Sequence, residues 1–205
     1  MILKNIYMRI LILHHRVLKK WESLLSTLKI LIYKAIFFTS LDLPWDTKIN
    51  LSSIIYPLRG KILIGKNVNL RSNKRNYHAG MPFSARLYTD VENALIQIGD
   101  NTRINGACIH AKKRIIVGKN CEIASGVNIL DSNGHETNSL NRTTGKDNPE
   151  DIIIGDNVWI GLNSLVLKGS KIGNNSIIAA NSVVKGIYPE NSIISYPIAQ
   201  IVKRI

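Results

Sequence analysis

Ile154, Ile160, Val166, Ile172, Ile178 and Val184 stand six residues apart without a slip, and nothing else in the chain restricts its fold so tightly. An amphipathic helix repeats its apolar face every three and four residues, and an open strand alternates every two, so neither produces a period of six. The fifth place of each unit holds a small or β-branched residue: Val158, Ser164, Ser170, Ser176 and Ser182. Earlier units carry the same pattern in Ile64-Gly65-Lys66-Asn67-Val68, Ile98-Gly99-Asp100-Asn101-Thr102, Ile104 to Cys108, Val117-Gly118-Lys119-Asn120-Cys121 and Ile123 to Val127. The spacing predicts an all-β solenoid in which three hexapeptides complete a triangular turn. Aliphatic residues point to its axis, and Gly-Asp-Asn or Gly-Asn-Asn corners tolerate positive φ. The register slips by one between Ile129 and Ile154 across a polar stretch containing Gly134, Gly145 and Pro149, so a loop leaves the coil there. A second excursion is expected near residues 71–90. Long loops on a rigid solenoid are common places for a site.

Isoleucine supplies 33 of the 205 residues, which suits a core of β-branched side chains. The formal charge of +13 calls for an anionic partner: a phosphate-bearing cofactor, a membrane surface, an acidic glycan or a nucleic acid. Nucleic acid is disfavoured, because the charge is dispersed and no aromatic-basic reader motif is present. The stretches Arg71 to Arg75 and Lys112 to Arg114, with His78 and His110 in or beside them, read as solvated basic turns that would also attract an anionic acceptor. Cys108 and Cys121 cannot build a disulfide framework; they occupy fifth places and read as small core residues in a reducing compartment. A zinc hydratase on this kind of coil needs three converging imidazoles, which the spacing of His110 and His135 does not provide, so no metal is expected.

Residues 1–45 differ in texture and are expected to form a basic amphipathic helical extension, with the coil domain over 46–205 and its loops near 71–90 and 130–153. Ile6, Ile10, Leu13, Val17, Leu24, Leu28 and Leu31 fall near helical spacing, while Lys4, Arg9, Arg16, Lys19, Lys20, Lys29 and Lys34 interrupt them and Glu22 is the only acid of the first forty residues. No apolar run there exceeds four residues, too short for a spanning helix or for the core of a signal peptide. Two uses stay open: residues 1–40 lie on an anionic membrane, or their apolar stripe packs on the body or on another subunit.

Asp131-Ser-Asn-Gly-His135, the coil Ile154-Gly-Asp-Asn-Val-Trp-Ile-Gly161, the run Ile172 to Val184 and the closing Tyr188-Pro-Glu-Asn-Ser-Ile-Ile-Ser-Tyr-Pro197 resemble the hexapeptide-repeat acyltransferases. The likeness is to sugar O-acetyltransferases of the maltose and galactoside type and their capsule and O-antigen relatives. It implies a left-handed parallel β-helix assembled as a homotrimer, with acetyl-CoA as donor substrate lying between neighbouring subunits. The implied reaction moves acetyl to a sugar hydroxyl in surface-glycan synthesis, in the cytoplasm or peripherally at the inner face of the membrane. A small-molecule or antibiotic acetyltransferase shares the fold, donor and histidine. A non-catalytic scaffold shares only the fold and predicts no affinity for CoA.

His135 is the expected base, a neutral imidazole able to take the alcohol proton near neutral pH. Asp131 or Glu136 is expected to orient it, Asp131 by preference on the family's Asp-x-x-x-His pattern. Trp159 takes an outward place in its hexapeptide and reads either as a wall of the acetyl or acceptor pocket or as an interface packing residue. Oxyanion donors are sought among coil N–H groups near Gly161. The small positions Ser164, Ala179, Ala180 and Ser182 resemble the family's CoA channel, and Lys168 and Lys185 are the cations placed to meet its phosphates.

Overall fold

The computed structural model describes residues 2–73, 77–136, 140 and 144–196. The chain opens with one helix, Ile2–Ile36, and then winds as a left-handed parallel β-helix whose short strands stack into three sheets. Among the described residues the first face has seven strands, from Leu41–Asp42 to Ile187–Tyr188, the second has seven, from Lys48–Ile49 to Ile193–Ile194, and the third has six, from Ile54–Pro57 to Val183–Val184. Neighbouring strands are parallel and in register, so identical places of successive units lie above one another: Ile98, Val117, Ile154 and Ile172 form one column of the first face. The six aliphatics of the main run are all buried, none more than 3% exposed. Ser164, Ser170, Ser176 and Ser182 are buried with them. Three of these hydroxyls donate to carbonyls of the adjoining coil: Ser164 to Ala179 at 2.9 Å, Ser170 to Val184 at 3.2 Å and Ser176 to Pro189 at 3.3 Å.

Corners between the first and second faces divide their labour in a way that refines the sequence reading. Asn67, Asn101, Asn120, Asn157, Asn175 and Asn191 take the positive φ, between 53° and 60°, that the turn requires, a conformation asparagine tolerates better than other side chains. The preceding glycines serve close approach: a Cβ on Gly99 would lie 2.5 Å from the backbone carbon of Gly118 one coil on. The asparagine amides also bond to one another along the corner, Asn67 to Asn101 at 3.0 Å and Asn157 to Asn175 at 3.1 Å.

Coil begins at Leu41–Asp42, ahead of residue 46, and the first excursion is shorter than expected because Arg86–Thr89 is a strand of the third face. The second excursion leaves after Asn128–Leu130 and returns at Ile152–Ile154, at the corner between the third and first faces. The helix caps the first coil with its C-terminal half. Ser26 Oγ accepts from Ile49 N at 2.9 Å, Tyr33 Oη accepts from Ile55 N at 3.3 Å, Lys29 Nζ donates to Leu51 O at 2.6 Å, and Ile30 is 1% exposed. Lys74, Arg75 and Pro197 lie outside the described residues.

Candidate active site

Gly134 takes φ +82° and turns the chain immediately before His135, whose side chain is exposed on the corner loop. The segment is tethered at both limbs. Asp131 O accepts from Glu150 N at 2.9 Å, closing the neck of the loop, and Asp151 pairs with Arg114 and, at 3.5 Å, with Lys113. Higher up, Asp147 accepts from Asn133 N on the outgoing limb and from Lys168 Nζ at 2.7 Å on the coil below. Lys168 also donates to Asn148 O at 2.8 Å, and its side chain is only 13% exposed. Burial alone would raise the Asp147 carboxyl, but Lys168, the Asn133 N–H and Ser132 hold it below its ordinary value. Asp147 is therefore the junction that seats the histidine segment, a role with no periodicity or motif to reveal it in the sequence.

Several sequence-derived assignments change on this geometry. Asp131 is fully buried, and its carboxylate accepts from the N–H groups of Lys112, Lys113 and Arg114 at 2.8, 2.7 and 2.9 Å. Its observed partners are the turn that carries those residues, so it anchors the base of the loop in place of the expected bond to His135. Burial pushes its carboxyl above the ordinary value against the pull of those N–H groups. Glu136 is half-buried beside His135. Gly161 spends its N–H on Ile178 O at 2.8 Å, and a Cβ there would lie 2.6 Å from Ala180 N, so it serves coil stacking and donates nothing outward. Ser164 and Ser182 face the core and cannot line a channel. Lys168 is committed to the loop carboxylates. Ala179 and Ala180 stay on the solvent side of the corner between the second and third faces, and Lys185 is exposed at the corner that carries His135.

Trp159 is 53% exposed on the second face, in register between Glu122 and Ile177. The chemistry beside it escaped the sequence reading. Glu122 is held by Arg103 Nε at 2.9 Å and by Asn105 Nδ2 at 2.8 Å, residues one turn of the coil earlier in sequence that only stacking brings beside it. In the triangular section the second face lies opposite the corner that bears the His135 loop, so His135 and Trp159 are on opposite sides of one chain. On the third face, His110 Nε2 lies 3.0 Å from Asp90 Oδ1, with its ring 4.9 Å from that of Tyr88. Cys121 is buried; Cys108 is half-buried on the outer side of its strand, not in the core. Burial pushes both thiols up, away from nucleophilic thiolates.

The family described as bacterial transferase hexapeptide (six repeats) matches residues 151–186, two full turns of the coil. The resemblance to hexapeptide-repeat acyltransferases therefore holds. Over 119 residues the chain is 34% identical to WbbJ of Escherichia coli, named as a candidate lipopolysaccharide biosynthesis O-acetyl transferase, covering 54% of this chain and 61% of that protein. It is 30% identical over 114 residues to the polysialic acid O-acetyltransferase of Neisseria meningitidis, covering 52% of each. The chain thus spans about half to three fifths of these curated relatives. Among solved structures, the polySia-specific acetyltransferase NeuO superposes with a TM-score of 0.54 at 24% identity, covering 77% of this chain and 63% of that one, a likeness of fold.

Proposed function

We propose that the protein is an acetyl-CoA-dependent O-acetyltransferase acting on a sugar hydroxyl of a surface glycan or its precursor. The observation that carries the reading is a histidine presented on a loop that is clamped to the corner of a hexapeptide coil by Asp131, Asp147 and Lys168. The names of its relatives support O-acetyl transfer and a glycan acceptor. His135 takes the acceptor's hydroxyl proton as that oxygen bonds to the thioester carbonyl carbon; the carbon–sulfur bond then breaks and the proton passes to the departing sulfur. Transfer is direct in this reading, since burial pushes the thiols of Cys121 and of half-buried Cys108 up, away from the thiolate that an acyl-enzyme would need.

The working unit of this reading is a homotrimer in which His135 of one copy and Trp159 of its neighbour share a site. Their positions on opposite sides of one coil support that arrangement. The exposed Lys185 and the small Ala179 and Ala180 are the residues left to meet the donor, and in this reading the protein works peripherally at the cytoplasmic face of a membrane, a location that its basic helix supports. Thiol release from acetyl-CoA, measured across free, nucleotide-linked and lipid-linked sugars, tests the proposal. His135→Ala is expected to lower the rate about 10²- to 10⁴-fold with acetyl-CoA binding retained. A near-normal rate would remove His135 as the base.

A further inference from the structure

Val17, Trp21, Leu24, Leu28 and Leu31 are spaced four, three, four and three residues apart on the N-terminal helix, and all are exposed, Trp21 by 58% and Leu24 by 60%. Leu18 and Ile32, each 47% exposed, widen the stripe on one side. The side chains that cap the coil, Ser26, Lys29, Ile30 and Tyr33, occupy the opposite side of the same helix. Packing on the body therefore leaves the apolar stripe facing outward, in a continuous row far longer than the scattered exposed leucines normal on a surface. Charge identifies what covers it. Lys20 lies beside Val17, Trp21 and Leu24, Lys34 sits over the ring of Trp45 at 4.3 Å, and the helix carries Lys4, Arg9, Arg16 and Lys19 besides, with Glu22 its only acid. A second copy of the helix would bring the same cations together with almost no carboxylate to pair them. An anionic lipid surface accepts both the apolar stripe and its basic flanks.

We infer that the outward stripe centred on Trp21, Leu24 and Leu28 is a docking face for a bilayer rich in anionic headgroups, and that the helix lies in the plane of that surface while its other side caps the coil. No helix among the described residues is long and apolar enough to cross a membrane, so attachment is tangential. Only the purpose of the attachment, reaching membrane-borne glycan intermediates, rests on the activity proposed above.

Flotation of the full chain with phosphatidylcholine vesicles, with and without phosphatidylglycerol, tests the inference. The protein is expected to float with phosphatidylglycerol vesicles, to be released by salt and to ignore neutral ones. The double variant Trp21→Glu, Leu24→Glu should lose at least about tenfold in partitioning while keeping its circular dichroism, thermal midpoint and acetyl-CoA binding. Absence of flotation, or flotation unchanged in the double variant, overturns the inference. So does a fall in oligomeric state in that variant with vesicle binding intact, which would assign the stripe to a second copy. Failure of acetyl-CoA to bind any form would count against the acetyltransferase reading alone and leave the vesicle result standing.

Discussion

Asp147 ties together the outgoing limb of the corner loop through Asn133, the returning limb through its own backbone, and the coil through Lys168. Its carboxyl titrates below the ordinary value of about 4 in the folded chain, so its contribution to loop docking is complete above that value and is lost as pH falls through the lower folded value. Hydrogen exchange is expected to show the amides of Asn133 and Glu150 losing protection in acid below about pH 4 while coil amides stay protected. Asp147→Asn should loosen the same amides at neutral pH and lower turnover with little change in thermal midpoint. An acid-insensitive loop would show that Asp147 does not hold it. The loop position of His135 was legible in the sequence because it follows a glycine in a polar break of the register. The partners of Asp131, Lys168 and Gly161 were not, since each is set by coil stacking between residues distant in sequence.

At the scale of the coil, stability comes from columns of buried aliphatics, and corner geometry decides how closely those columns approach. Gly99→Ala puts a methyl group 2.5–2.6 Å from the backbone of Gly118 and Lys119, atoms that cannot swing aside, and is expected to cost about 1–3 kcal/mol in denaturant melts. Asn175 has φ 58° and bonds to Asn191 at 3.2 Å; Asn175→Ala should destabilise by about 1 kcal/mol more than Asn175→Gly, because only alanine suffers from the left-handed backbone. Equal losses would place the asparagine's value in its side-chain bonds alone. The hexapeptide period marked the buried positions because each aliphatic place recurs with the turn. It did not separate the duty of glycine from that of asparagine, since both tolerate a corner and only the contact with the next coil tells them apart. Excursion boundaries were equally hidden, as the polar residues 71–80 ahead of Arg86–Thr89 break the six-residue register that marks the other strands.

On the scale of the whole molecule, the corner loop and the second face point to opposite sides, so the proposed site that joins His135 to Trp159 requires two copies. His135→Ala and Trp159→Ala proteins, each impaired alone, should regain activity when co-refolded, with about a quarter of the interfaces in a random trimer carrying both native residues. No recovery would confine each residue's role to its own chain. The basic helix was legible as an amphipathic element, but which side met the body required the first coil to be in place. The most direct test of the account is calorimetric titration of the full chain with acetyl-CoA, which examines the donor before any acceptor is known. Saturable binding, retained in His135→Ala, is the result the account predicts; a folded protein that shows no binding would contradict it.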